Sequence, residues 1–227
     1  MITTYRGIWD YLSVVQDGSS SELHRNVLTA IGTGIVSGRY PAGQVLTLDA
    51  LSAGNGVSRS VVREAIRVLE SMGMVAARRR IGITVQPAAS WNVFDPRLIR
   101  WRLDDGDRAV QLESLHELRR GVAPAAAALA ARRADPEQCR VMAAAVSDMV
   151  VHARSGDVDS YRLAHNAFHR TVLEASGNGM FRALHAVLAE APTNHVSPEV
   201  IELHERVGHA IRVGDDAAAE RAMRLLF

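Results

Sequence analysis

Between Glu22 and Val85 the hydrophobic pattern changes from helical to strand-like in a fixed order, and that order restricts the fold more than any other feature of the 227-residue chain. Leu23, Val27, Leu28, Ile31 and Ile35 recur at helical spacing, so a first helix is predicted over Glu22–Val36. Gly38 and Pro41-Ala42-Gly43 end it. A short second helix is predicted around Leu48–Ala53, then a tight turn at Gly54-Asn55-Gly56. A third helix opens at Ser58 as N-cap and runs to about Met72. Gly73 to Ala77 and Ile81 to Val85, two short apolar and β-branched segments around Arg78-Arg79-Arg80, read as a hairpin. Helix, helix, Gly turn, helix, hairpin is the order of a winged helix-turn-helix, whose third helix enters the DNA major groove.

The third helix can be tested for that role at about 100° per residue. Arg59, Arg63 and Arg67 fall on one stripe, and Val62, Ala65, Ile66, Leu69 and Met72 cover the opposite side. Arg59 and Arg63 lie at the end that reaches base edges, where a guanidinium pairs bidentately with guanine. Ser58, Ser60 and Arg67 join them in the predicted DNA face. Arg78, Arg79 and Arg80 suit phosphate contacts, which supply affinity without reading sequence. The competing explanation is a solvated arginine stripe on an ordinary surface helix. Charge favours DNA: residues 1–87 hold nine arginines against six acidic residues, whereas residues 88–227 hold seventeen against nineteen.

Other features exclude classes. No apolar run approaches the roughly 18 residues of a membrane span. The opening MITTYRGIWDYL lacks the apolar core of a secretion signal, and the single Cys139 has no cysteine partner, so a cytoplasmic protein is expected.

Residues 1–87 are therefore read as the DNA-binding domain, 88–109 as a connector with one short helix, and 110–227 as a helical domain. The fold class is mainly α: an N-terminal winged helix-turn-helix with a small β-hairpin, and a C-terminal all-α bundle. Helices are predicted over Leu112–Arg133, Pro136–Arg154, Val158–Ser176, Met180–Glu190, Pro198–Val213 and Asp216–Leu226. Asp135-Pro136 and Ser197-Pro198 each set a capping side chain before a proline at the first helical position.

Eight of the nine histidines lie beyond residue 115, and three fall on apolar faces. Tyr161, His165, Phe168, Val172 and Ala175 share one face, with His169 one turn after His165, a spacing that lets two imidazoles reach one ion. Ile201, His204, Val207 and Ile211 turn His204 inward in the same way. The three are predicted metal ligands for zinc or nickel, unless they are hydrogen-bonded core histidines. Binding by imidazole of ordinary pKa would weaken as pH falls toward about 6. His195 and His209 are substitute ligands, and His116, His152 and His185 read as surface or packing residues. Leu112, Leu115, Arg119 and Val122 share a helical face, which buries Arg119; a buried guanidinium needs an anion, from an effector carboxylate or from the protein itself.

The run Val57-Ser58-Arg59-Ser60-Val61-Val62-Arg63-Glu64-Ala65-Ile66-Arg67-Val68-Leu69-Glu70, followed by Met72-Gly73-Met74-Val75, resembles the signature of the GntR family of bacterial regulators. Gly38, Pro41-Ala42-Gly43 and Leu46 match the turn before the family's second helix; Asp49 departs from it, standing where many members carry a DNA-touching basic residue. The later segments Glu117-Leu118-Arg119, Phe168-His169, Ser176-Gly177-Asn178, His204, Ala210-Ile211 and Gly214-Asp215 resemble the FadR-type subfamily and its metabolite-sensing FCD domain. The resemblance implies a divalent metal held by an aspartate and three histidines. Here His165 stands at the aspartate position and Leu226 where the last histidine is expected.

The resemblance implies a homodimeric, ligand-responsive regulator that binds a double-stranded DNA operator, acts as a repressor of a catabolic operon and senses a small carboxylate. The stretch Trp91 to Trp101 is similar to members controlling sugar-acid catabolism. A metal-dependent enzyme built on the histidines, or a helical module stapled by a structural metal, are the alternatives.

Overall fold

The computed structural model describes residues 22–105, 108–192 and 196–227; the N-terminal segment read for a secretion signal and His195 lie outside the described residues. The chain divides into two units between Arg108 and Ala109. No helix among the described residues is long and apolar enough to cross a membrane.

In the first unit, helix α1 covers residues 22–36. It buries Val27, Leu28, Ile31 and Ile35, the apolar stripe its period predicts. Helix α2 (Leu48–Asn55) begins where the Thr47 side chain accepts from the Ala50 amide and ends at Gly56, whose φ of 64° is left-handed. Helix α3 (Arg59–Ser71) is capped by Ser58 and buries Val62, Ala65, Ile66 and Leu69. Strands β2 (Val75–Arg78) and β3 (Gly82–Val85) form the expected hairpin, Val75 facing Val85 and Arg78 facing Gly82. A third strand, β1 (Val45–Leu46), pairs antiparallel with β3 and makes the order β1-β3-β2. At two residues it is too short to show a period in the sequence.

Residues expected to act as a connector pack instead into this unit. Helix α4 (Pro96–Asp104), with Asp95 as N-cap, buries Leu98 and Trp101 in the same core as α1 and α3. The Trp101 ring explains an otherwise unfavourable glycine in α1. A Cβ on Gly32 would lie 2.3 Å from Trp101 Cζ3, so only hydrogen leaves room for the indole.

The wing tip stores strain. The Ile81 amide bonds to the Arg78 carbonyl at 3.2 Å, closing a turn in which Arg80 takes φ 66°, alone among non-glycine described residues. A left-handed backbone with a Cβ costs roughly 1–2 kcal/mol. Arg80→Gly is therefore expected to raise the unfolding free energy by about 0.5–1 kcal/mol, the relief being partly offset by glycine's greater chain entropy. Urea unfolding reads this, and a less stable variant would show that the turn is not strained.

The second unit is a helical bundle: α5 (Arg108–Arg133), α6 (Pro136–Ser155), α7 (Val158–Ala175), α8 (Gly179–Ala183), α9 (His185–Leu188), α10 (Pro198–Val213) and α11 (Asp216–Arg224). Asp135 and Gln138 form a reciprocal capping box at the start of α6, with Pro136 in the first turn. Alanines at 123, 126, 127 and 130 let α5 run through the core with little side-chain bulk. Pro124 lies inside α5 without ending it, leaving the Arg120 carbonyl without its usual amide partner. The single helix predicted over Met180–Glu190 is instead two short ones. The Leu184 amide bonds three residues back to the Phe181 carbonyl, at 3.1 Å, and the tightened turn breaks the run.

Candidate functional site

The third helix presents two faces of opposite character. Val62, Ala65, Ile66 and Leu69 are buried, whereas Ser58, Arg59, Ser60, Arg63 and Arg67 are exposed, as are Arg78, Arg79 and Arg80 on the wing. The arginines differ in what holds them. Arg59, at the start of α3, pairs through Nε with Asp49 in the first turn of α2, at 2.5 Å. Arg67 Nη1 pairs with Glu64 at 2.7 Å. No acidic partner is recorded for Arg63 among the described residues. Ser58 Oγ lies 2.8 Å from Ser60 Oγ besides capping the helix. The Asp49 pairing is a contact between helices that spacing along one helix could not reveal.

In the helical unit, α7 and α10 bring His165, His169 and His204 together, with one ring nitrogen from each inside a 4.8 Å cluster. His169 Nε2 lies 3.2 Å from both His165 Nε2 and His204 Nε2. His204, 1% exposed, donates its Nδ1–H to the Val200 carbonyl at 2.7 Å, because that oxygen can only accept. Its Nε2 therefore presents a lone pair to the cluster. His169 Nε2 carries at most one hydrogen when neutral, so it cannot supply separate hydrogen bonds to both neighbours. Three lone pairs aimed at one cation would resolve that conflict. Imidazole nitrogens at zinc distances of about 2.0–2.1 Å in a tetrahedral shell stand roughly 3.3 Å apart, close to the 3.2 Å that separates His169 Nε2 from each of its two neighbours. The side chains thus fit a divalent ion of the zinc class.

Burial also keeps the cluster uncharged. Desolvation, then the neighbouring His204 and Arg119, push His165 down to about 3. Desolvation brings His204 to about 4, against the opposing bond to Val200, and holds His169 well below the ordinary value. The expected loss of metal near pH 6 assumed imidazoles of ordinary pKa. In the folded protein, proton competition at these nitrogens moves to lower pH, because their surroundings exclude the water that would stabilise imidazolium.

Arg119 lies within reach of the same electrostatic field. It is 7% exposed, and burial pushes its pKa down to about 10. Nη2 donates to the Leu188 carbonyl at 2.6 Å, and the guanidinium carbon sits 5.2 Å from the centre of the Phe227 ring. That ring is also 5.8 Å from His169. No carboxylate is recorded against Arg119 among the described residues. The Leu188 and Val200 carbonyls and the Phe227 ring are parts of the site that the sequence reading did not identify; backbone acceptors leave no residue-type signal. His209 lies apart from the triad, its Nδ1 3.0 Å from Arg212 Nη2. Leu226 packs against the core.

Comparison with known proteins matches each unit separately. The model for bacterial regulatory proteins of the gntR family matches residues 23–85, and the FCD domain model matches residues 114–227. The galactonate operon transcriptional repressor of Escherichia coli (strain K12) is 26% identical over 207 residues, spanning 86% of this chain and 90% of its own. The uncharacterized HTH-type transcriptional regulator YieP of the same strain is 28% identical over 222 residues, spanning 95% and 96%. A solved structure titled as showing that Lar controls the expression of the Listeria monocytogenes agr system aligns with a TM-score of 0.59. At 20% identity, over 89% of this chain and 92% of that one, it shows the fold alone.

Proposed function

We infer that this chain, which belongs to the GntR family of bacterial transcription regulators and carries their FCD domain, is a cytoplasmic, homodimeric repressor of a catabolic operon that responds to a small carboxylate. The observation that carries the effector reading is Arg119: a buried guanidinium with one recorded hydrogen bond, to a neutral carbonyl, near three converging imidazoles. A buried cation without a counter-ion is costly, and a carboxylate matches its planar donors. A sugar acid suits the site, given the likeness to a galactonate operon repressor. His165, His169 and His204 would hold zinc or nickel, whose positive charge would draw the same anion. The enzyme and structural-metal alternatives have no observation of their own, and the matches reported above are to regulators.

On the DNA side, Arg59 and Arg63 would read base edges, Ser58, Ser60 and Arg67 would flank them, and Arg78, Arg79 and Arg80 would hold phosphates. One winged helix offers few contacts, and a two-fold operator suits a two-fold protein, which supports dimerisation through the helical domain. An operator selected from random duplexes by the wild-type protein tests the whole reading. Sugar acids and other small carboxylates should raise the melting temperature and weaken operator binding. A screen in which none does either would overturn the effector assignment.

Asp49 places a negative charge beside the DNA-reading face, where it would repel phosphate while holding Arg59 in one orientation. Asp49→Asn is expected to bind random duplex several-fold more tightly and to discriminate the selected operator less well. Fluorescence anisotropy on both duplexes measures the ratio. An unchanged ratio would assign the Asp49 contact no part in recognition.

A further inference from the structure

We propose that the helical domain pairs with a second copy of this chain through α10, the two helices running antiparallel about a two-fold axis between Glu205 and Arg206. This rests on the homodimeric reading of the helical domain and assigns the surface that would form the dimer. The exposed residues of α10 carry a charge order that is its own mirror image with the signs exchanged: Glu199, Glu202 and Glu205, then Arg206, His209 and Arg212. At about 100° per residue the six fall within a stripe of about 140°. Antiparallel pairing about that axis sets Glu205 opposite Arg206 of the second copy, Glu202 opposite its His209 and Glu199 opposite its Arg212. By symmetry each pair is made twice.

Two explanations within the single helix reach only part of this order. The helix dipole favours acids in the first turn and bases in the last, which accounts for Glu199 and Arg212 but not for Glu205 and Arg206 at the middle. Pairs four residues apart, Glu202 with Arg206 and Glu205 with His209, would use the same charges. Yet Glu202, Glu205 and Arg206 have no recorded ion pair among the described residues. His209 accepts at Nδ1 from Arg212 Nη2 at 3.0 Å, so its neutral ring carries hydrogen on Nε2 and can donate to a carboxylate across the axis. The surface beside these charges is grooved and largely apolar. Clefts of about 430 and 440 Å³ between α6 and α10, walled by Ala143, Ser147 and Val151 and by Val150, Ala153 and Val196, both border on Glu205. A third, on the α11 side of α10, borders on it as well and has Val213 and Ala218 in its walls. Val151, Val196 and Val213 are exposed in a single copy. The small α6 side chains leave room for the ridge of a second α10 to enter the groove. Together α6, α10 and α11 offer a face about 24 Å long and about 30 Å wide, or about 700 Å², close to the roughly 800 Å² that each partner contributes to a standard interface. An unrelated partner would have to reproduce the mirrored charge order, whereas a second copy supplies it by symmetry.

The test uses the full chain and two double variants at exposed positions, Glu202→Arg with Glu205→Arg and Arg206→Glu with His209→Glu. Sedimentation velocity over a concentration series, at low ionic strength where such charges act most strongly, gives the dimer dissociation constant of each. Each double variant sets like charges against each other across the axis and is expected to dimerise at least tenfold more weakly than the wild type. An equimolar mixture of the two restores opposite charges at every pair and should return to within about threefold of the wild-type value. Circular dichroism checks that the helix content is unchanged. Glu205→Arg and Arg206→Glu, mixed in the same way, serve as the reserve pair should a double variant fail to fold. A wild type that stays monomeric up to about 100 μM would overturn the homodimer reading, and this surface with it. A dimeric wild type whose variants dimerise equally well would remove α10 from the interface while leaving dimerisation intact. Variants that are weakened alone and not rescued by mixing would overturn the antiparallel pairing.

Discussion

Arg63→Ala is expected to abolish sequence-specific DNA binding while leaving the melting temperature of the protein unchanged. The side chain is exposed one turn into α3, and its removal takes nothing from the apolar face formed by Val62, Ala65, Ile66 and Leu69. It is also the stripe arginine without a recorded acidic partner, whereas Arg59 is held by Asp49 and Arg67 by Glu64. Those two must exchange a carboxylate for DNA, which reduces their net gain; Arg63 exchanges only water. A bidentate contact with guanine contributes about 1–3 kcal/mol of discrimination, and in a dimer the loss counts in both half-sites. The summed loss of about 2–6 kcal/mol corresponds to roughly 30-fold to 10⁴-fold in affinity for the selected operator. Binding to random duplex should weaken much less, since one phosphate-range charge is lost among several. Unchanged operator affinity and unchanged preference over random DNA would show that α3 does not read sequence through this residue.

The legible parts of this molecule are those written in local periodicity. The stripe of Val62, Ala65, Ile66 and Leu69 against Arg59, Arg63 and Arg67 belongs to one helix, and a 3.6-residue repeat sorts it without knowledge of neighbours. The same holds for Tyr161, His165, Phe168 and Val172 on α7 and for Ile201, His204, Val207 and Ile211 on α10, all of which are buried. Partners across elements were not legible. The burial of Trp101 depends on the room left at Gly32, nearly seventy residues earlier, and a tryptophan in a Pro-containing segment reads locally as part of a connector. The Asp49–Arg59 pair joins two helices across a turn, and the Phe227 ring meets Arg119 and His169 from the far end of the sequence. The departure from ordinary imidazole pKa was likewise hidden: residue type sets the reference value, but the surrounding desolvation is a property of the assembled bundle.

That desolvation makes the metal-free protein sensitive to mild acid. In the unfolded chain the three histidines titrate near 6.5. In the folded chain, burial first and neighbouring positive groups second hold His165 near 3 and His169 well below its ordinary value, while burial holds His204 near 4. Below pH 6.5 the unfolded state therefore binds more protons than the folded one, and stability falls as the pH falls. The loss begins near pH 7 and continues until the pH reaches the folded-state values. Each histidine contributes on the order of 1.4 kcal/mol per pH unit across that window, so at pH 5.5 the three together remove about 4 kcal/mol, a large part of the 5–15 kcal/mol typical of a domain. Ordinary carboxylates titrate lower and contribute little between pH 7 and 5.5. Urea unfolding of metal-free protein at a series of pH values is expected to give a slope approaching three protons taken up per molecule unfolded. His165→Gln should reduce that slope by about one. Zinc should steepen the acid loss, because unfolding then releases the ion as well as exposing three imidazoles to protons. A slope below one proton in the metal-free wild type would mean that the triad accepts protons in the folded state, and with it would fall the picture of three neutral donors awaiting a cation.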